Sequence, residues 1–189
     1  MSGSGVVRPN AGGNSGSVTD LTIRPAFNPD GDGIAALINA VFGEYPGCVF
    51  DRNGEFPELD AIADDFKNAN GRIWVAVDDA DRIVGCFGVK YDGQSAEAEL
   101  HKVYLDKDTR GQGMAQRMMA KALAWLGQNH PGCATVMLWT DTRFEAGHRF
   151  YEKCGFARTG ESRILDDLSK SSEYQFRFDF SAYQKALTF

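Results

Sequence analysis

The chain has 189 residues and a mass of 20.7 kDa, and 43% of it is hydrophobic, which suits one domain with a sizeable core and leaves no room for a second. Its formal net charge of -6 and pI of about 5.1 exclude a surface that attracts nucleic acid or anionic lipid over its whole extent, and favour cationic partners. Four cysteines (Cys48, Cys86, Cys133, Cys154) form no CxxC pair and have no metal-ligand spacing to His101, His130 or His148, so the reading is no metal and a reducing, cytoplasmic setting.

The opening "MSGSGVVRPNAGGNSGS" lacks the continuous apolar core of a secretory signal and reads as a flexible Gly/Ser-rich tail over residues 1–18, with a single domain over 19–189. No apolar run approaches the roughly 18 residues of a membrane span, so no membrane partner is expected. A short strand is predicted at 20–25, followed by a helix in "PDGDGIAALINAVFGEY" with Asp30 or Asp32 as its cap and Leu37, Ile38, Val41 and Phe42 on its apolar face. After a turn-rich loop, a second helix starts near Pro57 and ends before Gly71. "RIWVAVDD" and "RIVGCFGVKYD" read as strands joined by a "DADR" hairpin turn.

In the next strand, "EAELHKVYL", a period of two puts Glu99, His101, Val103 and Leu105 on one face, and Leu100, Lys102 and Tyr104 on the other. A helix with Ala115, Met118, Met119, Ala122, Leu123 and Leu126 at helical spacing runs to about Asn129. It is followed by a buried strand "ATVMLWT" and a helix "DTRFEAGHRFYEKC" that stops at Gly155. "FARTGESRIL" and "EYQFRFDF" read as two last strands, with Tyr174, Phe176, Phe178 and Phe180 on one face. The order predicts an α/β (α+β) domain: a mixed, mostly antiparallel sheet of six to seven strands flanked by about four helices.

Between the strand and the long helix, "RGQGMA" places Gly111 and Gly113 against a helix start. A helix N-terminus presents unpaired N–H groups and partial positive charge, so strand, glycine turn and helix together make an anion site suited to a diphosphate. Arg110 adds a charged fork beside it. The letters fit neither a GxxxxGK[ST] loop nor a GxGxxG fingerprint, because position 116 is Gln.

"RGQGMA" at 110–115 resembles the Q/R-x-x-G-x-G/A acetyl-coenzyme A signature of the GNAT superfamily of N-acetyltransferases, and "FYEKCGF" at 150–156 resembles its second signature. The strand order from about residue 19 to 180 is similar as well. The resemblance implies a GNAT-like fold, acetyl-coenzyme A as co-substrate and direct transfer of acetyl to an amine in a ternary complex. It implies cofactor contacts from Arg110, Gly111, Gln112, Gly113, Met114 and Ala115, and from the backbone of Val103 and Leu105 where the strand splays from its neighbour. An N–H near Leu105 would then stabilise an oxyanion. Phe144 falls at a cofactor position but stands where the family frequently has asparagine, and Gly147 where it has alanine, so a side-chain hydrogen bond from position 144 is missing.

By the same resemblance Tyr151 is the acid for the departing thiolate and Glu99 the base, with His101 as the rival base. The acceptor pocket is expected from the loop after the first helix (Glu44, Tyr45, Asp51, Glu55, Glu58) and the turn before the last strand (Asp166, Asp167). This acidic rim suits a small-molecule or protein amine, and the absence of a basic stretch argues against nucleic acid. The aromatic last strand and "SAYQKALTF" are compatible with a homodimer. A non-catalytic acyl-coenzyme A sensor or assembly module is the alternative reading.

Overall fold

The structure, a computed structural model, describes residues 21–186. The tail assigned to residues 1–18 and the last three residues of "SAYQKALTF" lie outside the described residues. Seven strands make one sheet: β1 (Thr22–Pro25), β2 (Arg72–Val77), β3 (Ile83–Asp92), β4 (Glu97–Leu105), β5 (Thr135–Asp141), β6 (Ala157–Ile164) and β7 (Ser172–Asp179). Their order is β1-β2-β3-β4-β5-β7-β6, and every pair is antiparallel except β4 with β5. This is the mixed, mostly antiparallel sheet the sequence predicts.

Six α-helical segments accompany it among the described residues: α1 (Gly31–Phe42), α2 (Arg52–Glu55), α3 (Ile62–Asn68), α4 (Met114–Asn129), α5 (Glu145–Lys153) and α6 (Phe180–Ala186). Helices cover both faces, so the inner strands are apolar on both sides rather than alternating with polar residues. In β2, Trp74 and Ala76 pack toward α4 and α5 while Ile73, Val75 and Val77 pack toward α1 and α3. On the second face Phe66, Ile34, Ile38, Leu59 and Ile62 are almost wholly buried. Each such side chain contributes about 1.5–3 kcal/mol by leaving water.

Several local expectations need correction. Asp30 sits at the N-cap of α1 without making a capping hydrogen bond, because its carboxylate takes Arg24 at 2.7 and 2.9 Å and the Phe27 amide at 2.7 Å. The helix expected from Pro57 is a tight 3-10 turn, Pro57–Ala61, that precedes α3. The last strand ends at Asp179, and Phe180 opens α6 with its ring still in the core beside Phe176.

The largest correction lies in β4. Its register with β3 pairs Gly88 with His101 but Cys86 with Tyr104, so three steps of β4 match two of β3. This is a β-bulge, and Lys102 takes the strain with a φ of 54°. An extra residue reverses the facing of everything after it. Glu99 and His101 therefore share a face with Tyr104, on the α1/α3 side, while Val103 and Leu105 pack with Leu100 toward α4. The predicted single face of Glu99, His101, Val103 and Leu105 does not exist.

Candidate active site

β4 and β5 pair only from Glu97↔Thr135 to Glu99↔Met137, and then part. Asp106 donates its N–H to Val84 of β3 at 2.8 Å, so Leu105 before it, and Val103 by alternation, turn their backbone groups to the opposite edge, where no strand pairs beyond Glu99. The gap opens into a cleft of about 740 Å³ that passes between the two faces of the sheet. Glu99, His101, Val103, Leu105, Arg110, Gly111, Gly113, Met114, Ala115, Phe144 and Tyr151 all line it, so the catalytic and cofactor candidates named from the sequence meet there but for one. Gln112 does not; its side chain turns back to the Asp108 carbonyl at 3.0 Å.

At one end, Gly111 and Gly113 have φ of 78° and 79°, the left-handed region that other residues enter at a cost of about 1–2 kcal/mol. A Cβ built on either meets no atom within 4 Å, so the glycines leave open space in front of α4. Gly113 caps α4 without a side-chain hydrogen bond, and its carbonyl receives the first helical bond from Arg117 at 3.0 Å. The amides of Met114, Ala115 and Gln116 thus open the helix toward that space. The Met114 side chain is buried in the core, so only its backbone is left to face that space.

Arg110 is placed differently from the sequence reading. Its fork grips the Glu44 carboxylate at 2.6 and 2.7 Å, and its Nε and Nη2 donate to the Leu105 carbonyl at 3.0 and 2.8 Å. It is a clasp between the loop after α1 and the end of β4, not a free cation at the cradle. Leu105 consequently keeps only its N–H for the gap.

On the other side of the sheet, Glu99 and His101 are each 33% exposed, with His101 Nε2 3.6 Å from Glu99 Oε2, beyond hydrogen-bond reach. Burial pushes the Glu99 carboxyl above the ordinary range; the Glu173 carboxylate adds to this, while Arg163 and Lys90 oppose it. Burial pulls His101 down to about 4, assisted by the Lys90 and Lys102 cations. Tyr151, on α5 against Phe150, Phe156 and Phe176, is buried, and that burial lifts its phenol well above its usual value.

Phe144 is the N-cap of α5, and the Asp141 carboxylate before it folds onto the amide and guanidinium of Arg143 at 2.8, 2.9 and 2.5 Å. The expected acceptor segments do meet. Val49 donates to Ser169 Oγ at 2.8 Å and Leu168 donates to Glu55 Oε1 at 2.9 Å, tying the loop after α1 to the β6–β7 turn. Asp51 only caps α2, Glu58 pairs with Lys102 at 2.5 Å, and Asp166 lies on the surface beside Lys170. Burial raises the Cys48 and Cys154 thiols, so neither is an activated nucleophile.

Sequence reasoning missed Tyr104, which the bulge swings onto the Glu99 face; nothing in "HKVYL" signals an extra residue. It also missed Trp139, Arg163 and Glu173, which line the cleft with Glu99: Arg163 lies 4.4 Å over the Trp139 ring and 2.6 Å from Glu173. Trp139 comes from β5, next to β4, Glu173 from β7 beyond it and Arg163 from β6 at the sheet edge. The aromatic alternation of "EYQFRFDF" marked β7 as a strand but not its place in the order.

A family model described as Acetyltransferase (GNAT) family matches residues 35–156. The chain is 30% identical over 146 residues to a mycothiol acetyltransferase of Salinispora tropica, covering 73% of this chain and 45% of that protein. It is 29% identical over 107 residues to an N-acetylaspartate synthetase of Xenopus tropicalis, covering 56% of this chain and 38% of that protein. The chain thus spans less than half the length of these two relatives. A GNAT-family acetyltransferase of Staphylococcus aureus Mu50 has the same fold, with a TM-score of 0.72 at 18% identity over 85% of this chain and 99% of that one. With more than half of its length matched by the family model, the chain belongs to the GNAT family of acetyltransferases.

Proposed function

We propose that the protein transfers an acetyl group from acetyl-coenzyme A to a primary amine by direct attack, with both substrates bound. The observation that supports this most is the parting of β4 from β5, which leaves an unpaired strand edge leading to a glycine cradle at the start of α4. The cradle fits a diphosphate because it is open, faces helix amides and has no side chain at either glycine. The edge fits an amide-bearing arm, since Val103 and Leu105 turn backbone groups toward it as an edge strand does for an added one. The relatives' names speak for acetyl as the group moved; their acceptors are not carried over.

Gly111, Gly113, Met114 and Ala115 would hold the diphosphate through their backbone and Val103 the arm, while Leu105, whose carbonyl is taken by Arg110, keeps its N–H for the thioester. Acetyl-coenzyme A supplies a thioester carbonyl open to an uncharged amine. Glu99 takes the ammonium proton, directly or through water, since burial has raised its basicity toward neutral pH. His101, drawn down to about 4, is the weaker base. The Leu105 N–H is the donor for the carbonyl oxygen. Tyr151 keeps its proton far above neutral pH and gives it to the thiolate.

Release of free thiol from acetyl-coenzyme A, followed with a panel of amines, tests the reading. Amine-dependent release with matching N-acetyl product is the expected result. Tight donor binding with no release for any amine would overturn it in favour of a coenzyme A-binding module.

A further inference from the structure

The acceptor end of the cleft is walled by rings. Phe42, the last residue of α1, lies 6.0 Å from Phe56, 6.0 Å from Tyr104 and 6.0 Å from Phe144, and Tyr45 lies 4.6 Å from Phe144. All five line the cleft, and all but Phe56 are only half-buried. Phe50 backs them, 6.4 Å from Phe42 and 5.2 Å from Phe56, so the wall is supported from behind.

The cations around this wall are answered within the protein. Of the cations that line the cleft, Lys102 is paired with Glu58, Arg110 with Glu44 and Arg163 with Glu173. None of these stands free to hold a substrate carboxylate. Among the carboxylates, Asp141 is paired with Arg143 and Glu173 with Arg163, while Glu55 and Asp167 keep their charge and each accept a backbone amide, from Leu168 and Ser171, at the edge where the two segments meet. Glu99, beside the neutral His101 ring at 3.6 Å, can take an ammonium. The bonds from Val49 to Ser169 and from Leu168 to Glu55 roof this end, which suits a compact molecule better than the end of a protein chain.

We infer that the acceptor is a compact primary amine carried on an apolar, ring-sized body, and that Phe42, the hub of the wall, is the residue that selects it. The inference rests on the N-acetyltransferase reading for the fate of the amine, but not for its binding. The ring body lies on the aromatic wall, and the amine is thereby held near Glu99, on the same face of β4 as Tyr104.

The test uses the full chain with 2-phenylethylamine, ethylamine, spermidine and aspartate as acceptors, comparing kcat/KM at saturating acetyl-coenzyme A. Phenylethylamine should lead the other three by about tenfold or more, as loss of well-packed apolar contact demands. Phe42→Leu, which keeps most of the bulk, and Phe42→Ala should lower the phenylethylamine-to-ethylamine ratio stepwise. Spermidine or aspartate as the best acceptor, or a ratio unmoved in both variants, would overturn the inference. Calorimetric titration of phenylethylamine into protein with coenzyme A reads binding apart from chemistry. Phe42-dependent binding without thiol release would sink the transferase reading and leave the pocket inference standing; loss of heat in every titration would sink the pocket inference itself.

Discussion

Residues 111–115 and residues 99–104 stand at opposite ends of one cleft, and they are built on different principles. The first is made of backbone: two glycines in the left-handed region, open space before them and the amides of a helix start. The second is made of side chains that a bulge at Lys102 turns to the far side of the sheet. Backbone sites bind what every member of a family shares, because their shape survives changes in neighbouring side chains. Side-chain sites set what differs, and here they are a ring wall and a partly buried carboxylate. The difference can be attacked from either end.

The largest effect should come from the backbone end. Gly113→Val forces a β-branched residue to a φ of 79° and sets its side chain in space that is otherwise open. The free protein should lose about 1–2 kcal/mol of stability, while the donor dissociation constant rises about 100-fold or more. Calorimetry with acetyl-coenzyme A, paired with thermal unfolding, separates the two. An unchanged donor affinity in a folded variant would show that the diphosphate is held elsewhere.

At the side-chain end the cost should fall on turnover instead. Glu99→Gln should lower kcat about 10²-fold with donor affinity kept, as loss of a general base does. Because burial raises the Glu99 carboxyl, the wild-type rate should climb with pH through a value above the ordinary carboxylate range, and this limb should vanish in the variant. Tyr151→Phe comes next: tens-fold slower turnover with donor binding intact, since the ring packing against Phe156 and Phe176 is retained. Equal rates for Tyr151 and Phe at that position would leave it a packing residue.

The two ends were not equally legible in the sequence. "RGQGMA" after an apolar strand announced its own geometry, because only glycine accepts those φ values cheaply, and helix and strand periods fixed what flanks it. The side-chain end was read by strict alternation along "EAELHKVYL", which found Glu99 and His101 but put Val103 and Leu105 beside them and hid Tyr104. A bulge at a lysine leaves no mark in composition, since it is imposed by the pairing of two strands rather than by the local residues. The fate of Arg110 was equally hidden. Its partner Glu44 lies 66 residues away, and charges alone do not say which anion a guanidinium will meet.

The smallest effect belongs to His101, and it separates a structural histidine from a base. In the folded chain its pKa is drawn down to about 4, chiefly by burial, with Lys90 and Lys102 adding repulsion, Asp65 opposing and the Phe66 ring packed edge-on at 6.2 Å. The unfolded chain has the ordinary value near 6.5. The folded pKa is therefore the lower one, so the unfolded state takes up the proton first. The contribution of the neutral ring to stability is whole above about 6.5 and is lost as pH falls toward about 4. His101→Gln removes this dependence while keeping a polar group at the cleft. Other carboxylates also titrate in that window, so the measurement is a difference: urea midpoints of wild type and His101→Gln from pH 7.5 to 4.5. The gap between the two should be flat above about 6.5 and then shift steadily against the wild type, while turnover at neutral pH falls only about two- to fivefold. Parallel stability profiles would mean that His101 is freely protonated in the fold. A turnover loss as large as that of Glu99→Gln would move the base one pleat along β4.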